Sequence, residues 1–354
     1  MDYSKVIFVC DYAANYAGNF IASLNRLAVE LKENNKKVVF IFPKKAERKN
    51  WEINLSAYQV VFTDFNYRDL LKTIKKEIPD NKKVIIHTHF ISSMFLLKLR
   101  HILSPSNSKI IFHQHMAVKF GIKQMIKGII LRLFGFKNTL YIGVSPAVFN
   151  DVCKEVGKDK ARLVINSLDL TRLHITNDNK AKKNILIFGS DYKRKGVDLA
   201  ISAIRDAHLE GKVKLLVVTH TPDVARVLVK TEFNNIPHFV EFVKTENNVQ
   251  ELYKNSFLFL SPSRMEAFGY SVIKAAYSGL RVIASDVPGQ NMLKNVPNIV
   301  WIDLGNIRQL SNAILKEYSN SKENKVEQIV TRKAIEKNYS LNRWICQVIK
   351  LYGE

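Results

Sequence analysis

Short runs of β-branched and aromatic residues alternate with longer amphipathic stretches along almost the whole chain. This alternation is typical of parallel β-strands joined by crossover helices. The strand-like runs lack a strict alternation of polar and apolar residues, which indicates strands that are covered on both faces. The sequence therefore predicts an α/β fold built on parallel sheets.

The predicted elements are distributed over both halves of the chain. The predicted strands are Val6–Cys10, Val38–Phe42, Val84–His87, Ile110–His113, Leu140–Val144, Asn184–Phe188, Val213–Thr219, Phe239–Val243, Phe257–Leu260, Arg281–Ala284 and Ile299–Ile302. The predicted helices are Asn19–Glu33, Ser92–Leu103, Ala147–Val156, Val197–His208, Val249–Asn255, Tyr270–Ser278, Ile307–Tyr318 and Leu341–Tyr352.

The length of the chain, 354 residues, exceeds what one hydrophobic core usually serves. A polar segment from Leu173 to Lys183, rich in Asn, Asp and Lys, separates the two halves and is typical of a linker. We therefore predict two domains of Rossmann size, residues 1–172 and 173–340, and a C-terminal helix in residues 341–354 that returns to the first domain.

The net charge is strongly positive, with Lys+Arg 54 against Asp+Glu 32 and a formal charge of +22. Such a charge favours polyanionic partners, namely nucleic acid, anionic lipid headgroups or phosphorylated substrates, and a genome that favours lysine is the alternative explanation. The chain has no apolar run long enough to span a membrane and no recognisable signal peptide. Its three cysteines, Cys10, Cys153 and Cys346, lie far apart, which favours a reducing cytoplasm.

The segment from Lys119 to Lys137 has the pattern of a basic amphipathic helix, with lysines on one side and apolar residues on the other. Such helices lie in the plane of anionic membranes. The alternative is an ordinary helix whose apolar stripe faces the sheet, and three glycines in the segment weaken any helix. The predicted membrane-facing cations are Lys119, Lys123, Lys127 and Lys137. The predicted apolar face comprises Ile122, Met125, Ile126, Ile129, Leu133 and Phe136.

The segment from Ser261 to Gly289 carries the most specific chemical pattern. A predicted strand runs into a loop with Glu266, then into Phe268–Gly269 and a helix that begins at Tyr270. Gly269 permits close approach of a ligand to the backbone. The N–H groups of Tyr270, Ser271 and Val272 are expected to form an anion site at the helix N-terminus.

This segment resembles the donor-site signature of the family-4 retaining glycosyltransferases, which belong to the glycosyl transferases group 1 type and synthesise bacterial surface polysaccharides and lipid-linked glycans. The matching positions are Glu266, Phe268, Gly269, Ala275, Gly279, Val282–Asp286 and Gly289. The resemblance implies the GT-B fold, in which two Rossmann-like domains face each other across a donor cleft. It also implies that Glu266 lies near the donor sugar and that the turn after it holds the diphosphate.

Lys274 departs from this signature, because the family usually has a second Glu there that grips the donor ribose. An ammonium group accepts no hydrogen bond from a hydroxyl, so ribose recognition must differ. Three readings stay open: a weaker donor site, a lysine that approaches a phosphate, or a non-catalytic homologue.

A second match lies at residues 185–198, where a predicted strand ends at Gly189 and is followed by Lys193, Arg194 and Lys195. Three consecutive cations can neutralise a leaving diphosphate without a metal ion. The segment resembles the family's Gly-Arg-x-x-x-x-Lys-Gly element, with Lys195 on the diphosphate-binding lysine. Ser190 replaces the usual Arg, and Arg194 is expected to take its role.

In the first half, residues 16–20 resemble the family's Gly-Gly loop, with Gly18 at its second glycine, and residues 164–169 resemble its Asn-Gly-Val-Asp segment. The chain also has two histidine pairs, His87 with His89 and His113 with His115. No carboxylate or cysteine joins either pair at ligand spacing, so no metal site is predicted. The resemblance places His115 at the family's histidine near the reacting sugar, while a structural histidine is the alternative.

These patterns predict a retaining glycosyltransferase that moves a hexose-type sugar from a UDP- or GDP-linked donor to a glycan or polyprenyl-linked acceptor, without a metal or other cofactor. Residues 1–172 would bind the acceptor and residues 173–340 the nucleotide sugar, and the protein would lie on the cytoplasmic face of the membrane. The predicted catalytic residues are His115, Lys195 and Glu266. The predicted donor-binding residues are Gly18, Arg194, Lys195, Glu266, Phe268, Gly269, Tyr270, Ser271 and Lys274. The alternatives are a non-catalytic partner of another transferase, an inverting enzyme with the same GT-B fold, and a nucleic-acid-binding protein, for which the sequence offers no recognition motif.

Overall fold

The computed structural model describes residues 3–78, 82–99, 108–116, 121–135, 137–173, 183–245, 250–320 and 325–354. The chain divides into two compact units. The N-terminal unit comprises Met1–Asp169 and Tyr339–Glu354, and the C-terminal unit comprises Leu170–Asn338.

The described residues alternate between strands and helices in both units. The strands are β1 Lys5–Cys10, β2 Lys37–Pro43, β3 Gln59–Thr63, β4 Val84–His89, β5 Ser108–Gln114, β6 Thr139–Gly143, β7 Ala161–Leu163, β8 Asn184–Phe188, β9 Lys214–Thr219, β10 Val240–Lys244, β11 Ser256–Ser261, β12 Arg281–Ser285 and β13 Ile299–Ile302. The helices are α1 Gly18–Glu33, α2 Tyr67–Glu77, α3 Phe95–Leu99, α4 Ile122–Phe134, α5 Pro146–Val156, α6 Val197–Asp206, α7 Pro222–Phe233, α8 Gln250–Lys254, α9 Tyr270–Ser278, α10 Ile307–Ser319, α11 Lys325–Tyr339 and α12 Leu341–Gly353. Short 3₁₀ turns occupy Lys44–Ala46, Glu52–Leu55, Leu170–Arg172 and Asn291–Leu293.

The described residues of each unit form one parallel sheet. The strand order is β3-β2-β1-β4-β5-β6-β7 in the N-terminal unit and β10-β9-β8-β11-β12-β13 in the C-terminal unit. In both sheets the direction of strand addition reverses beside the first strand, between β1 and β4 and between β8 and β11. Loops diverge at such a switch point, and ligands of open α/β sheets bind there, outside the carboxyl ends of the strands. The predicted α/β class and the two Rossmann-like domains are confirmed.

The core of the N-terminal unit is completed by the end of the chain. Phe8 and Phe40 of the central strands pack with Leu24 of α1 and with Trp344 and Val348 of α12. Full burial of each such side chain contributes about 1.5–3 kcal/mol relative to exposure. Helix α12 is therefore an integral part of the N-terminal unit.

The core of the C-terminal unit lies between its sheet and the helices that flank it. Ile185, Leu215 and Leu258 of neighbouring strands pack with Ile204 of α6 and Ile314 of α10. These strands are apolar on consecutive residues, as their burial on both faces requires.

The strands predicted from the sequence are all present, but β3 and β7 were not predicted, and neither were helices α2, α7 and α11. Strand β3 is half-exposed and β7 has three residues, so both lack the long apolar run of a central strand. The predicted helix Ser92–Leu103 is present as α3, and its last residues lie outside the described part of the chain, as do residues 174–182 of the predicted linker.

Within the described ranges, every helix is too short or too polar to pass through a lipid bilayer.

Candidate functional site

The loops that follow β8 and β11 contact each other through their backbones at the switch point of the C-terminal sheet. The backbone N–H of Arg264 donates to the carbonyl oxygen of Arg194, at 2.7 Å. Gly196 has a φ of +70°, and a Cβ at this position would overlap the carbonyl oxygen of Pro262. Only glycine combines this conformation with so close an approach. The hydrogen bond and the close approach therefore fix the position of one loop against the other.

The same two loops bring together the charged residues that the sequence singled out. Lys195 Nζ lies 2.5 Å from Glu266 Oε1, and Arg194 Nη1 lies 3.5 Å from the same oxygen. Arg194 also binds Asp191, with 2.8 Å between Nε and Oδ2. The side chains of Lys195 and Glu266 are only 17% and 11% exposed, so this pair is largely screened from water. The predicted cations and carboxylate thus form one cluster.

A second ion-pair network, which the sequence analysis missed, supports these loops. Arg264 binds Asp198 through both guanidinium ends, with N–O distances of 2.9 and 2.8 Å. Lys193 Nζ also binds Asp198, at 3.1 Å, and Glu232 of α7, at 2.6 Å. Burial alone would raise the pKa of Asp198, but the hydrogen bonds from Arg264 and Lys193 hold that pKa below its usual value. Lys193, expected among the diphosphate cations, therefore pairs with carboxylates instead.

The loop after β12 closes on Glu266 from the neighbouring strand. A Cβ on Gly289 would overlap the carbonyl oxygen of Glu266 and would lie 2.9 Å from the carbonyl carbon of Ala267. The next residue, Gln290, is fully buried, and its Nε2 donates to Ser261 Oγ at 3.1 Å. The backbone of Glu266 is thus packed directly against Gly289.

Helix α9 begins directly after this loop, as predicted. Gly269 has a φ of +84°, and Phe268 is buried, with its ring 4.7 Å from that of Tyr270. The N–H of Val272 donates to the carbonyl oxygen of Gly269 at 3.0 Å. The expectation that Val272 contributes to the anion site is therefore wrong, because its donor is used within the first helical turn. Tyr270 and Ser271 remain as the predicted donors.

Lys274 lies on the second turn of α9 and is half-buried. It lies on the helix that directly follows the loop with Glu266 and Gly269, at the carboxyl end of β11. Its ammonium group cannot reproduce a carboxylate's acceptance of two hydroxyl hydrogen bonds.

Two segments of the N-terminal unit that were noted in the sequence meet beside β1. Gly18 begins α1 with a φ of +56°. The next residue, Asn19, donates from Nδ2 to the carbonyl oxygen of Ser167 at 2.5 Å and accepts from the N–H of Asp169 at 3.1 Å. The loop before α1 and the segment 164–169 therefore form one hydrogen-bonded unit.

The two histidine pairs form a single cluster at the carboxyl ends of β4 and β5. His89 is the register partner of His113, and residues two apart on a strand share a face, so the pairs lie side by side. His89 Nδ1 lies 2.9 Å from His115 Nε2, and His87 Nε2 lies 3.2 Å from His113 Nδ1. His87 Nδ1 is 2.7 Å from the hydroxyl of Tyr352 on α12.

Burial makes these four imidazoles weak bases. Burial, with a smaller effect of His115, lowers the pKa of His87 to about 3, and burial lowers the pKa of His115 to about 3. Burial, with smaller effects of the neighbouring histidines, lowers the pKa of His89 and of His113 well below the usual value. The cluster is therefore neutral near pH 7. His115, the predicted catalytic histidine, stacks on Phe90 at 4.4 Å between ring centroids.

Helix α4 confirms the predicted amphipathic helix but places one of its predicted membrane-facing lysines inside the protein. Gly128 and Leu131 are buried, and Lys127 Nζ binds the buried carboxylate of Glu155 on α5 at 3.0 Å. The assignment of Lys127 to a membrane-facing set is therefore wrong. Lys123 and Lys137 are exposed, whereas Lys119 and Phe136 lie outside the described residues.

The apolar stripe of α4 does not face the sheet. Its exposed large residues are Ile122, Met125, Ile126, Ile129, Leu133 and Phe134, with exposed fractions from 49% to 74%. Soluble proteins rarely expose so continuous an apolar patch without a binding role.

The two parallel-sheet, Rossmann-like units define the class of the protein, which is the GT-B fold. Residues 172–334 match the family model described as glycosyl transferases group 1, in agreement with the resemblance of the donor-site motifs.

Two curated relatives and one solved structure illustrate what the chain is similar to. It is 26% identical to an uncharacterized 41.2 kDa protein in the cps region of Klebsiella pneumoniae, over 62% of this chain and 64% of the relative. It is 32% identical to the lipopolysaccharide glucosyltransferase WaaG of Escherichia coli, over 32% of this chain and 31% of the relative. The alignments thus cover less than two thirds of either relative. The structure of Anabaena HepE in complex with UDP and glucose matches with a TM-score of 0.77 and 14% identity, over 99% of this chain and all of that chain.

Proposed function

We propose that the protein is a retaining glycosyltransferase that moves a hexose-type sugar from a UDP- or GDP-linked donor to a glycan or lipid-linked acceptor. The observation that carries this proposal is the cluster of Lys195, Arg194 and Glu266 at the switch point of a group 1 domain. Cations placed where a diphosphate departs stabilise the charge that develops as the glycosidic bond breaks.

In the proposed reaction, Lys195 and Arg194 bind the diphosphate, together with the backbone N–H groups of Tyr270 and Ser271 at the start of α9. These fixed cations supply the charge that a divalent ion provides in other transferases, so the donor step needs no metal. Glu266 accepts hydrogen bonds from hydroxyls of the donor sugar, and the acceptor attacks from the face that the diphosphate leaves. The bound UDP and glucose of the HepE structure support a donor of this class.

His115 is proposed to bind the transferred sugar or the acceptor. The neutral imidazole can donate one hydrogen bond and accept another, and the bond between its Nε2 and His89 Nδ1 fixes its ring. Gly18 is proposed to let a ligand approach the loop before α1. Both belong to the N-terminal unit, which we assign to the acceptor.

The acceptor is proposed to lie at an anionic membrane surface, as a polyprenyl- or lipid-linked glycan of a surface polysaccharide. Helix α4 exposes apolar side chains beside Lys123, Arg132 and Lys137, which is the arrangement that places a helix in the headgroup region. Each cation near such a surface contributes about 1 kcal/mol. The cps-region and lipopolysaccharide relatives support this class of acceptor.

The first test is a thermal-shift screen with UDP, GDP, ADP and their sugars. A ligand at about 100 times its Kd adds about 2.7 kcal/mol to the free energy of unfolding, which raises the melting temperature by several degrees. We expect UDP or GDP to act selectively and the matching donor to be turned over with retention, with no gain in rate from added Mg²⁺. If a nucleotide binds but no sugar is transferred to any acceptor, the chain is the non-catalytic partner. If no nucleotide binds, the donor site itself is refuted.

The membrane proposal has its own test in vesicle sedimentation. The double variant Ile129→Ser with Leu133→Ser is expected to lose most binding to vesicles rich in phosphatidylglycerol. The control is Val227→Ser, which removes a similarly exposed apolar side chain from α7 of the other unit. Equal sedimentation of all three proteins, or equal binding to purely zwitterionic vesicles, would contradict a role for α4.

A further inference from the structure

The histidine cluster offers more than the single function proposed for His115. One ring nitrogen from each of His87, His89 and His113 lies within 4.8 Å of the others, and all three side chains are buried. The parallel pairing of β4 with β5 produces this arrangement, because it sets His89 beside His113 at the carboxyl end of the sheet.

Two of the ring nitrogens have no hydrogen-bond partner among the described residues. They are Nε2 of His89 and Nε2 of His113, and both are inaccessible to solvent. A buried polar atom that loses its water without gaining a partner costs about 1–3 kcal/mol. Such atoms are uncommon in native proteins and call for an explanation, and an unassigned ion would supply the missing partner of His89 Nε2.

The spacing of the rings suits a metal ion. Two imidazoles bound to a tetrahedral ion, each at about 2.0–2.1 Å, have their ligating nitrogens about 3.3 Å apart. Nε2 of His87 and Nδ1 of His113 are 3.2 Å apart, so this pair needs no rearrangement. The third nitrogen lies within 4.8 Å of the other two and needs to move by at most about 1.5 Å.

The surroundings of these rings also resemble those of metal ligands. Histidine ligands are usually oriented by a hydrogen bond to the ring nitrogen that does not bind the metal. Tyr352 contacts His87 in this way at 2.7 Å, and His115 contacts His89 at 2.9 Å.

We propose that His87, His89 and His113 bind one transition-metal ion, of which Zn²⁺ is the expected occupant because three neutral imidazoles suit it. The ion would join the carboxyl ends of β4 and β5 and, through Tyr352, the helix α12. It lies in the N-terminal unit, whereas the residues proposed to bind the diphosphate lie in the C-terminal unit. The ion would therefore contact none of the residues proposed to bind the diphosphate, although its ligand His89 also orients His115.

The test is a metal titration of the full chain after dialysis against a chelator. We expect one equivalent of Zn²⁺ to bind in competition with a chromophoric chelator, and Co²⁺ to give the intense visible bands of a tetrahedral site. His89→Gln and His113→Gln should each weaken Zn²⁺ binding by more than tenfold, and Tyr352→Phe by about tenfold, as expected for an outer-shell partner. His238→Gln, an exposed histidine of the other unit, is the matched control and should bind Zn²⁺ like the parent.

The Co²⁺ spectrum requires no variant, so a substitution that prevents folding does not decide the result. No stoichiometric binding by the parent protein, or an octahedral Co²⁺ spectrum, would overturn the proposal. Equal affinities of folded His113→Gln and His238→Gln would also overturn it, since they would assign the metal to the surface. Nucleotide binding measured on the same samples reports on the transfer proposal separately.

Discussion

The carboxylate of Glu266 competes with a bound diphosphate for Lys195, which leads to a counterintuitive prediction. Replacing Glu266 with Gln keeps the size of the side chain and removes one negative charge from the cluster. We expect Glu266→Gln to bind free UDP or GDP more tightly than the parent protein and yet to lose most of its turnover. The two effects separate, because the nucleotide lacks the sugar whose hydroxyls Glu266 is proposed to bind.

The size of the gain follows from the distances in the cluster. Glu266 Oε1 lies 2.5 Å from Lys195 Nζ, and a phosphate oxygen bound to the other side of the ammonium group would lie about 5 Å from that carboxylate oxygen. Repulsion between unit charges at about 5 Å is about 0.8 kcal/mol in a water-like dielectric and about 3 kcal/mol at an effective dielectric of about 20. With Glu266 largely buried, we expect the Kd of the nucleotide to fall about tenfold, which corresponds to about 1.4 kcal/mol.

The assay is isothermal titration calorimetry with the nucleotide that the thermal-shift screen selects, followed by turnover with its sugar. Glu241→Gln is the matched control, because it removes the same charge from an exposed position on β10 of the same unit. It should change neither quantity by more than about twofold at moderate salt. Unchanged or weaker nucleotide binding in Glu266→Gln would refute the placement of the diphosphate beside Lys195. Full turnover would refute the role of Glu266 with the donor sugar.

Two further predictions concern the stability of the donor loops. Gly196→Ala introduces both a strained φ and an overlap with Pro262, so we expect the free energy of unfolding to fall by about 2–4 kcal/mol, measured by thermal unfolding. Gly211→Ala is the control, because no atom lies within 4 Å of its added Cβ, and it should change the free energy of unfolding by less than about 0.5 kcal/mol. Equal melting temperatures of the two variants would contradict the close contact between Gly196 and Pro262. Arg264→Gln should lower the free energy of unfolding by about 2–3 kcal/mol at pH 7. This loss is smaller than that for breaking a fully buried ion pair, because Arg264 is partly exposed. Because the fold lowers the pKa of Asp198, the ion pair stabilises the protein above about pH 4, and this stabilisation is lost as the pH falls. The difference in stability between Arg264→Gln and the parent protein should therefore shrink in acid. A difference that does not depend on pH would exclude the ion pair as its cause.

The sequence predicted most of the fold because buried parallel strands and their helices leave strong local patterns. Helix α9 was predicted with both of its boundaries, since Gly269 and Gly279 mark its ends and adopt φ values of +84° and +99°. Strand β7 was missed because its three residues depend on pairing with β6, which is a long-range contact with no local signal.

The candidate site shows the same limit. Lys195 and Glu266 were predicted through their motifs, but the bond between Arg264 and Asp198 joins residues 66 positions apart and follows from no local pattern. The position of Arg264, two residues before Glu266 in the loop after β11, was the available signal. The sequence analysis considered each histidine pair separately and missed the cluster. The contact between His87 and His113 depends on the adjacency of β4 and β5, which only the sheet order supplies.

The membership of α12 in the N-terminal unit has a consequence for synthesis on the ribosome. Domains generally fold as units while the chain emerges from its N-terminus. Here the first unit lacks Trp344 and Val348 of its core, and His87 lacks its tyrosine partner, until the whole second unit has been translated. The unit that starts first is therefore the one that finishes last, and for that interval its sheet carries an unfilled apolar face that a chaperone would recognise.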